Sequence, residues 1–246
     1  MKKLLFIVLL LNLSILSYSL NFSVAPTGFS VELNKPSTQE ITILNNTTEP
    51  LRLDAVFQTD SDFGEKYNLN STLTIFPKTI SLKPAGKQTV RFRVKPDSSI
   101  QDGEYTSLLT FTEIPGEIKT VSSNNKNNVS SNLNFITKIS ISVYGYKGNL
   151  IHKGTLSNLN LDYNGNSAII SASSFSEGNT SLKFSYNLKV QGSDTEISGL
   201  FGISAREGKK DISLSTQLGP NLKGKKAKLV ITDQNGKVYY DKVHTL

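Results

Sequence analysis

Apolar and polar residues alternate with a period of two along most of the chain. This alternation indicates β-strands with one buried face, and helical periodicity is almost absent. Gly, Pro, Asn and Asp separate the alternating runs, as expected of turns between strands. The first part of the chain has seven predicted strands: Phe29–Leu33, Glu40–Leu44, Leu51–Phe57, Leu73–Phe76, Thr89–Val94, Tyr105–Ile114 and Leu133–Val143.

A second set of alternating runs follows Gly148, and Asn235-Gly236 joins the last two runs as a strong hairpin-turn signal. Seven strands in about 100 residues are typical of one immunoglobulin-like sandwich. The sequence therefore predicts an all-β chain of two such domains, residues 20–146 and 147–246. The runs of the second domain are Leu159–Tyr163, Ser167–Ser173, Leu182–Val190, Asp211–Ser215, Lys226–Thr232 and Lys237–Val243.

Residues 1–19 have the composition of a secretory signal peptide. Lys2 and Lys3 precede the apolar run Leu4–Leu11, and small residues around Ser19 suit a signal peptidase. The apolar run is too short for a good membrane span, and no later segment of the sequence is long and apolar enough. The chain has no cysteine, which excludes disulfides and a lipid anchor on cysteine. We therefore expect an exported protein without stable membrane insertion.

The chain is basic, with a formal net charge of +7 that includes the two lysines of the signal peptide. Other lysines cluster at Lys209, at Lys210 and within residues 223–228. One interpretation is binding to an acidic polymer or a membrane surface. The interpretation that we favour is solvated turns and edge strands, which lysine protects from aggregation. Nucleic-acid binding is not expected, because the export signal argues against it and no aromatic residues interleave the basic ones.

The sequence carries no recognisable catalytic or metal-binding motif. His152 and His244 are its two histidines, and no zinc-protease, serine-hydrolase or phosphate-loop pattern occurs. The acidic residues within residues 60–65 are too few and too irregular for a calcium loop. We expect no enzymatic activity, no cofactor and no bound metal.

The tract Glu117–Asn132 is rich in Asn and Ser and has no periodicity. A loop of this length inside a compact domain is uncommon and is usually functional or disordered. It leads directly into Leu133 and Phe135, which share the parity of Ile139 and Ile141 but have no obvious partner. The tract is either a tolerated surface insertion or part of a functional site.

Four segments follow one another in the order seen in PapD-like periplasmic pilus chaperones: FSVAPTGFSVEL, ITILNNTTEPLRLDAVF, IFPKTISLKPAGKQTVRFRV and QDGEYTSLLTFTEIP. The turn at Asn45–Pro50 and the segment Asp102–Pro115 are the most specific landmarks. The resemblance covers Phe22 to Tyr144. The second half resembles the family in its length, its β character and the segment SSFSEGNTSLKFSYNL.

This resemblance implies a periplasmic escort for pilus or surface-fibre subunits. In the family, two sandwiches form a boomerang with a cleft between them, and the last strand of the first domain is lent to an incomplete subunit. Main-chain hydrogen bonds then supply affinity, and side chains fill the groove of the subunit until an outer-membrane usher takes it over. The alternative is a structural or adhesive surface protein of two immunoglobulin-like domains without a client.

The resemblance assigns the lent strand to the segment before Ile139. The subunit-binding residues would be Val129, Leu133, Phe135 and Thr137. Ile139, Ile141 and Val143 would instead serve the core of the first domain. The alternative is that all of the apolar residues from Leu133 onwards belong to one internal core.

The family also implies a charged anchor that this chain lacks. An Arg in the first strand and a Lys late in the donor strand bind the terminal carboxylate of the subunit. Gly28 and Ser140 occupy those positions and cannot do so. Lys138 is the nearest replacement, and Arg91 and Arg93 are further candidates.

The resemblance also identifies a domain interface. Glu104 matches the acidic member of the interface in the family, and Tyr144 replaces the arginine that helps to lock it. We expect both residues to lie where the two domains meet.

Overall fold

The computed structural model describes residues 20–95, 97–116 and 135–246. Most of these residues lie in β-strands, and the only helical element among them is a 3-10 turn at Glu65–Tyr67. No helix in these ranges has the length and apolar composition needed to cross a membrane. The predicted signal peptide and the tract Glu117–Asn132 lie outside the described residues.

The first half of the chain forms a sandwich of two sheets. The four-stranded sheet has the order β1-β3-β7-β5, and the five-stranded sheet has the order β2-β9-β8-β4-β6. The strands are β1 Phe22–Ala25, β2 Gly28–Glu32, β3 Ser37–Asn45, β4 Leu51–Gln58, β5 Leu73–Phe76, β6 Thr79–Leu82, β7 Lys87–Val94, β8 Gly103–Glu113 and β9 Lys138–Lys147.

The alternation of the sequence produces the core of this sandwich, because every second side chain of a strand points to the same face. In β4, for example, Leu51, Leu53 and Ala55 are buried and the residues between them are exposed. Phe92 lies at the centre, with the Phe29 ring edge-on at 5.0 Å between ring centroids. A fully buried side chain of this kind contributes about 1.5–3 kcal/mol to stability.

The second half forms a separate sandwich with its own core. Its sheets have the orders β10-β11-β14 and β13-β12-β15-β16. Phe184, Leu188, Leu229 and Ile231 are fully buried between them. The strands are β10 Gly154–Tyr163, β11 Ser167–Ser176, β12 Lys183–Val190, β13 Glu196–Ile203, β14 Gly208–Gln217, β15 Lys226–Asp233 and β16 Val238–Thr245.

The predicted fold class, all-β with two immunoglobulin-like sandwiches, is confirmed. The sequence failed to predict β1, β6 and β13. The first two are four-residue strands beside Pro26 and Pro77, where the chain leaves one sheet and joins the other. Such short strands give too few alternations to detect. In β13, glycines interrupt the apolar pattern. The domain boundary after residue 146 stays a prediction, and β9 ends one residue later.

The start of the last strand of the first sandwich was predicted wrongly. The sequence placed it at Leu133, but β9 begins at Lys138 and residues 135–137 are in no strand. The final ladder bond runs from Glu113 N to Thr137 O, at 3.0 Å. Pro115, two residues beyond the end of β8, has no N–H to continue the ladder.

Candidate functional site

The first part of β9 is an open sheet edge. β2 pairs with β9 in parallel from Gly28 opposite Ser142 to Glu32 opposite Tyr146. Residues 138–141 therefore pair with β8 alone, and no other strand of the described chain covers their second edge. The edge is open because β1, the strand preceding β2, belongs to the opposite sheet. We call residues 138–141 the open edge.

The register identifies which main-chain groups of the open edge are unpaired. Glu113 N bonds Thr137 O, and in an antiparallel ladder such pairs recur at every second residue. The main-chain groups of Ile139 and Ile141 therefore face β8. Those of Lys138 and Ser140 face away from it, as the Tyr146 carbonyl does where it accepts the Leu33 N–H. The open edge thus offers the N–H and C=O groups of Lys138 and Ser140.

The segment immediately before the open edge exposes apolar side chains. Phe135 is 84% exposed and Ile136 is 53% exposed. Thr137 is half-buried, and its N–H donates to Glu113 Oε2 at 3.2 Å. Val129 and Leu133, the other proposed subunit-binding residues, lie outside the described residues. Phe135 therefore lies outside the described core of its own domain. A donor residue must lie outside that core, because its side chain fills the groove of the subunit.

The downstream residues belong to the core, as the sequence predicted. Ile141 and Val143 are buried, and Ile139 packs against the same cluster with part of its surface exposed. Phe135 is exposed and Ile141 is buried, although both belong to the same series of alternate residues. The alternative that the whole parity forms one internal core is therefore wrong for Phe135.

The two positions that carry charges in the family lie close together but carry none here. Gly28 is opposite Ser142, two residues along β9 from Ser140, whose hydroxyl hydrogen-bonds that of Thr110 at 2.9 Å. Lys138 is exposed at the start of β9. It shares a sheet face with Ser140, because the two residues have the same strand parity.

The structure does not bring Arg91 and Arg93 to Lys138. Both arginines are on β7 in the four-stranded sheet, whereas Lys138 is in the five-stranded sheet. Arg91 forms an exposed ion pair with Glu40, with Arg91 Nε donating at 2.7 Å. The role of Arg91 and Arg93 in a carboxylate anchor stays a prediction. Lys138 is better placed for this role, because it lies in the open edge itself.

Glu104 lies at the contact between the two sandwiches and is 1% exposed. Its Oε2 accepts hydrogen bonds from the main-chain N–H and the hydroxyl of Ser181, both at 2.6 Å. The Tyr146 hydroxyl donates to Oε1 at 3.3 Å. Burial, and next the negative charge of Glu104, raise the pKa of Tyr146 well above its usual range. A carboxylate buried without such donors would be strongly unfavourable, so these contacts hold the sandwiches together.

Arg206 completes this contact from the second sandwich. It is 5% exposed, and its Nε donates to the main-chain carbonyl of Glu104 at 3.0 Å. Its guanidinium lies over the Tyr67 ring at 4.2 Å from the centroid. Gly103 provides the space, because a Cβ there would lie 2.6 Å from the Arg206 guanidinium.

Further polar contacts surround this buried centre. Tyr67 and Lys66 both hydrogen-bond Glu207 Oε2, and Lys210 pairs with Asp62. These bonds from Tyr67 and Lys66 hold the pKa of Glu207 below its usual range. Such exposed pairs contribute little individually, about 0–1 kcal/mol. The bonds to Glu207 connect the 3-10 turn with the loop before β14, and the Lys210–Asp62 pair connects β14 with the loop before that turn.

Tyr144 also lies at the interface. The ammonium of Lys183, from the second sandwich, is 5.8 Å from the centroid of the Tyr144 ring. Phe63 packs edge-on against the same ring, with 6.1 Å between the ring centroids. Burial, and to a smaller extent Glu104, raise the pKa of Tyr144. An aromatic ring therefore occupies the position at which the sequence comparison expected an arginine.

The connection between the sandwiches is short and tied down. Gly148 has a φ of +59°, and a Cβ there would overlap the Asp102 carboxylate at 1.9 Å. Asp102 Oδ2 accepts the Asn149 N–H at 2.9 Å. The Asn179 side chain donates to Asn149 O and accepts from Ile151 N. This network restricts the relative movement of the two sandwiches at their connection.

Sequence reasoning identified Glu104 and Tyr144 but missed Arg206, Ser181 and Asn179. A signal existed for Arg206, since it is the only arginine after Arg93. An arginine among many lysines indicates a position that needs its planar fork of donors. Ser181 and Asn179 lie in the segment SSFSEGNTSLKFSYNL that resembles the family, but neither gave a signal as a single residue, because the chain is rich in both residue types.

The comparisons with known proteins agree with this architecture. The family model of pili and flagellar-assembly chaperones, PapD N-terminal domain, matches residues 23–143. The periplasmic chaperone SfaE superposes with a TM-score of 0.50 at 10% identity, over 92% of this chain and 100% of its own. This identity shows a shared fold.

Two further chaperone structures are similar. The E. coli chaperone DraB has a TM-score of 0.49 at 13% identity, over 92% of this chain and 97% of its own. The Salmonella enterica SafB chaperone, solved with the SafA pilin, gives a TM-score of 0.47 at 13% identity, over 94% of this chain and 98% of that chain. No curated protein matches the chain in sequence. Residues 23–143 therefore belong to the PapD-like family of pilus chaperones as its N-terminal domain, and the described chain shares the fold of the solved chaperone.

Proposed function

We propose that this protein is a periplasmic chaperone that binds pilus or surface-fibre subunits by donating the open edge and the segment before it. The observation that carries this proposal is the juxtaposition of unpaired main-chain groups at Lys138 and Ser140 with an exposed Phe135. Strand addition needs both features, because main-chain bonds give affinity and alternate side chains give specificity.

The client would be an immunoglobulin-like subunit that lacks one strand. Such a subunit exposes apolar core and an unpaired edge, which makes it prone to aggregation. Phe135, together with Leu133 and Val129 of the same parity, would fill the groove of the subunit. Ile141 and Val143 hold the downstream half of the strand in the chaperone core, so the donated half is presented from a fixed base.

The contact between the sandwiches supports the proposal in a second way. Glu104, Ser181 and Arg206 join the two halves through buried hydrogen bonds, which would keep the sandwiches in one arrangement without a client. A preformed surface loses less entropy on binding than one that must first be ordered. Binding and release in this proposal need no nucleotide, metal or other cofactor.

Export and delivery complete the proposal. Residues 1–19 would direct the chain to the periplasm, where the subunits await assembly. An outer-membrane usher would then receive the subunit as the donated strand is exchanged. The family and the fold are those of chaperones, and no step of the proposed cycle is a chemical reaction.

Co-purification tests the proposal. The protein would be expressed with its signal peptide beside the fibre-subunit genes of its own genome, and periplasmic complexes would be isolated and analysed by mass spectrometry. A 1:1 complex with a smaller β-rich subunit is expected. Recovery of the protein as a constituent of surface fibres, without a periplasmic complex, would instead support the structural or adhesive alternative.

A further inference from the structure

The outer face of the four-stranded sheet carries a row of positive charges. Buried and exposed residues alternate along β7, and every second residue from Lys87 to Lys95 is exposed. Four of these five exposed residues are cations, and the row is about 25 Å long. We call this surface the basic face. It is defined by Lys87, Arg91, Arg93 and Lys95 and by their exposed neighbours on β3 and β5.

Most of the charges on the basic face are uncompensated. Arg91 pairs with Glu40, which lies opposite it on β3. Lys87, Arg93 and Lys95 form no ion pair with any described residue. Lysine that only protects a sheet from aggregation belongs on an edge strand, whereas β7 lies between β3 and β5. Protection of an edge therefore does not explain this row of cations.

Hydroxyl groups flank the cations at one place on the basic face. Arg93 lies between Thr38 on β3 and Thr74 on β5, directly opposite both residues in the register. These three side chains and Lys95 line a concavity of about 560 Å³. The two threonine hydroxyls form no hydrogen bond within the part of the chain that the structure describes. A guanidinium, an ammonium and hydroxyls around one concavity are the donors that suit a phosphate group.

An exposed aromatic ring lies at the rim of the same concavity. Phe76 ends the edge strand β5, lies opposite Arg91 in the register and is 79% exposed. In a protein–protein interface the apolar residues occupy the centre, and charged residues are depleted there. Here the charges follow a central strand and the apolar ring lies at the edge. This arrangement suits a layer of lipid headgroups, in which cations contact phosphates and an aromatic ring enters the interface.

We propose that the basic face docks reversibly on a bilayer that contains anionic phospholipids. A headgroup phosphate accepts hydrogen bonds from Arg93 and Lys95, and the Phe76 ring contacts the apolar part of the interface. The inference goes beyond the proposed chaperone role, because it needs neither a client nor the open edge, which belongs to the five-stranded sheet. Its test therefore uses the chain alone.

Sedimentation of the exported full-length chain with lipid vesicles tests the proposal. Vesicles of phosphatidylcholine alone are compared with vesicles of an equimolar mixture of phosphatidylcholine and phosphatidylglycerol. We expect binding to the mixed vesicles only, and weaker binding as the salt concentration rises. Inorganic phosphate, at the concentration of the lipid phosphate, should not release the chain. Absence of binding to the mixed vesicles, equal binding to the neutral ones, or full release by inorganic phosphate would overturn the proposal.

Two pairs of substitutions separate the basic face from the net charge of the chain. Arg93→Gln with Lys95→Gln should lower the partition coefficient about twentyfold, because each basic residue near an anionic surface contributes about fivefold. Lys223→Gln with Lys225→Gln is the matched control, because it removes the same charge from two exposed lysines of the second sandwich. Equal losses in the two pairs would show that only the net charge matters, and would overturn the proposal.

Phe76 supplies a direct measurement of contact with lipid. The chain has no tryptophan, so Phe76→Trp introduces a single fluorescent reporter at an exposed position. Its emission should shift to shorter wavelength on mixed vesicles and should be quenched by brominated lipid. Phe76→Ser should weaken binding about tenfold, because it removes the apolar contact. Emission that stays unchanged when all of the chain is bound would show that the ring remains in water, and would overturn the proposal.

Discussion

The Nε of Arg206 donates a hydrogen bond to the main-chain carbonyl of Glu104 at 3.0 Å, across 102 positions of the chain. The same arginine donates to Gly178 O at 3.3 Å and lies over the Tyr67 ring. One buried side chain thus connects the β8 strand of the first sandwich with two loops of the second. Its donors are fixed in a plane, so these contacts also fix the direction in which the sandwiches meet.

Replacing Arg206 should weaken this contact. Hydrogen bonds from a charged donor are worth about 1.5–3 kcal/mol, and Arg206→Met would leave the Glu104 carbonyl buried without this donor. We expect a lower melting temperature and a broader interdomain distribution by small-angle X-ray scattering. Arg206→Lys should recover the stability only in part, because an ammonium lacks the planar fork. Arg93→Met is the control, since Arg93 is exposed. A melting temperature for Arg206→Met equal to that of the control would contradict this role.

Tyr146 should make the stability of the interface depend on pH in the alkaline range. Its pKa is raised above the ordinary value of 10.0 in the folded state, so the folded chain holds the phenolic proton more tightly than the unfolded chain. The resulting stability is complete below pH 10 and is lost as the pH rises towards the folded pKa. Tyr146→Phe should therefore show a shallower fall in melting temperature above pH 10. Parallel curves for the two proteins would show that another tyrosine controls the alkaline loss.

Leu133 and Phe135 should carry client binding without carrying stability. Each apolar side chain that fills a client groove contributes about 1.5–3 kcal/mol, and a polar replacement adds an unpaired buried group. Leu133→Asn with Phe135→Asn should abolish subunit capture with little change in melting temperature. The matched pair Ile139→Asn with Ile141→Asn should unfold the first sandwich, because Ile141 is buried in its core. Equal destabilisation by the two pairs would mean that Phe135 is an ordinary core residue.

Ser140 isolates the contribution of one main-chain donor. Its N–H faces away from β8, so Ser140→Pro should remove a bond to the client without breaking the ladder with β8. Ser140→Ala is the control, because both variants lose the hydroxyl bond to Thr110 and only the proline loses the N–H. We expect client affinity for Ser140→Pro to be several-fold below that of Ser140→Ala, consistent with about 0.5–1.5 kcal/mol for one hydrogen bond. Identical dissociation constants, measured by surface plasmon resonance, would exclude strand addition at this edge.

Lys138 tests the anchor that the sequence suggested. If its ammonium binds the terminal carboxylate of the client, Lys138→Ala should lose about ten- to a hundredfold in affinity. Arg93→Ala removes a positive charge from the opposite sheet and should have no comparable effect. An unchanged dissociation constant for Lys138→Ala would place the anchor elsewhere.

The sequence by itself determined the all-β class and the two sandwiches, because period-two alternation fixes which face of each strand is buried. It also determined that Ile141 and Val143 belong to the core. The order of four sequence segments indicated the resemblance to PapD-like chaperones, and Glu104 was identified through that resemblance. These features depend on residues near one another in the chain, or on patterns that can be recognised without knowing which strands pair.

Only the tertiary structure decided which residues of β9 form the open edge. That edge depends on β1 pairing in one sheet and β2 in the other, and no local pattern encodes the choice of sheet. The same holds for the contacts of Arg206 and Ser181 with Glu104, which join positions that are 102 and 77 residues apart. A serine or an arginine in the sequence does not by itself show which distant residue it will contact. Their roles arise because the Gly148 connection brings the two cores together and buries a carboxylate that these donors must satisfy.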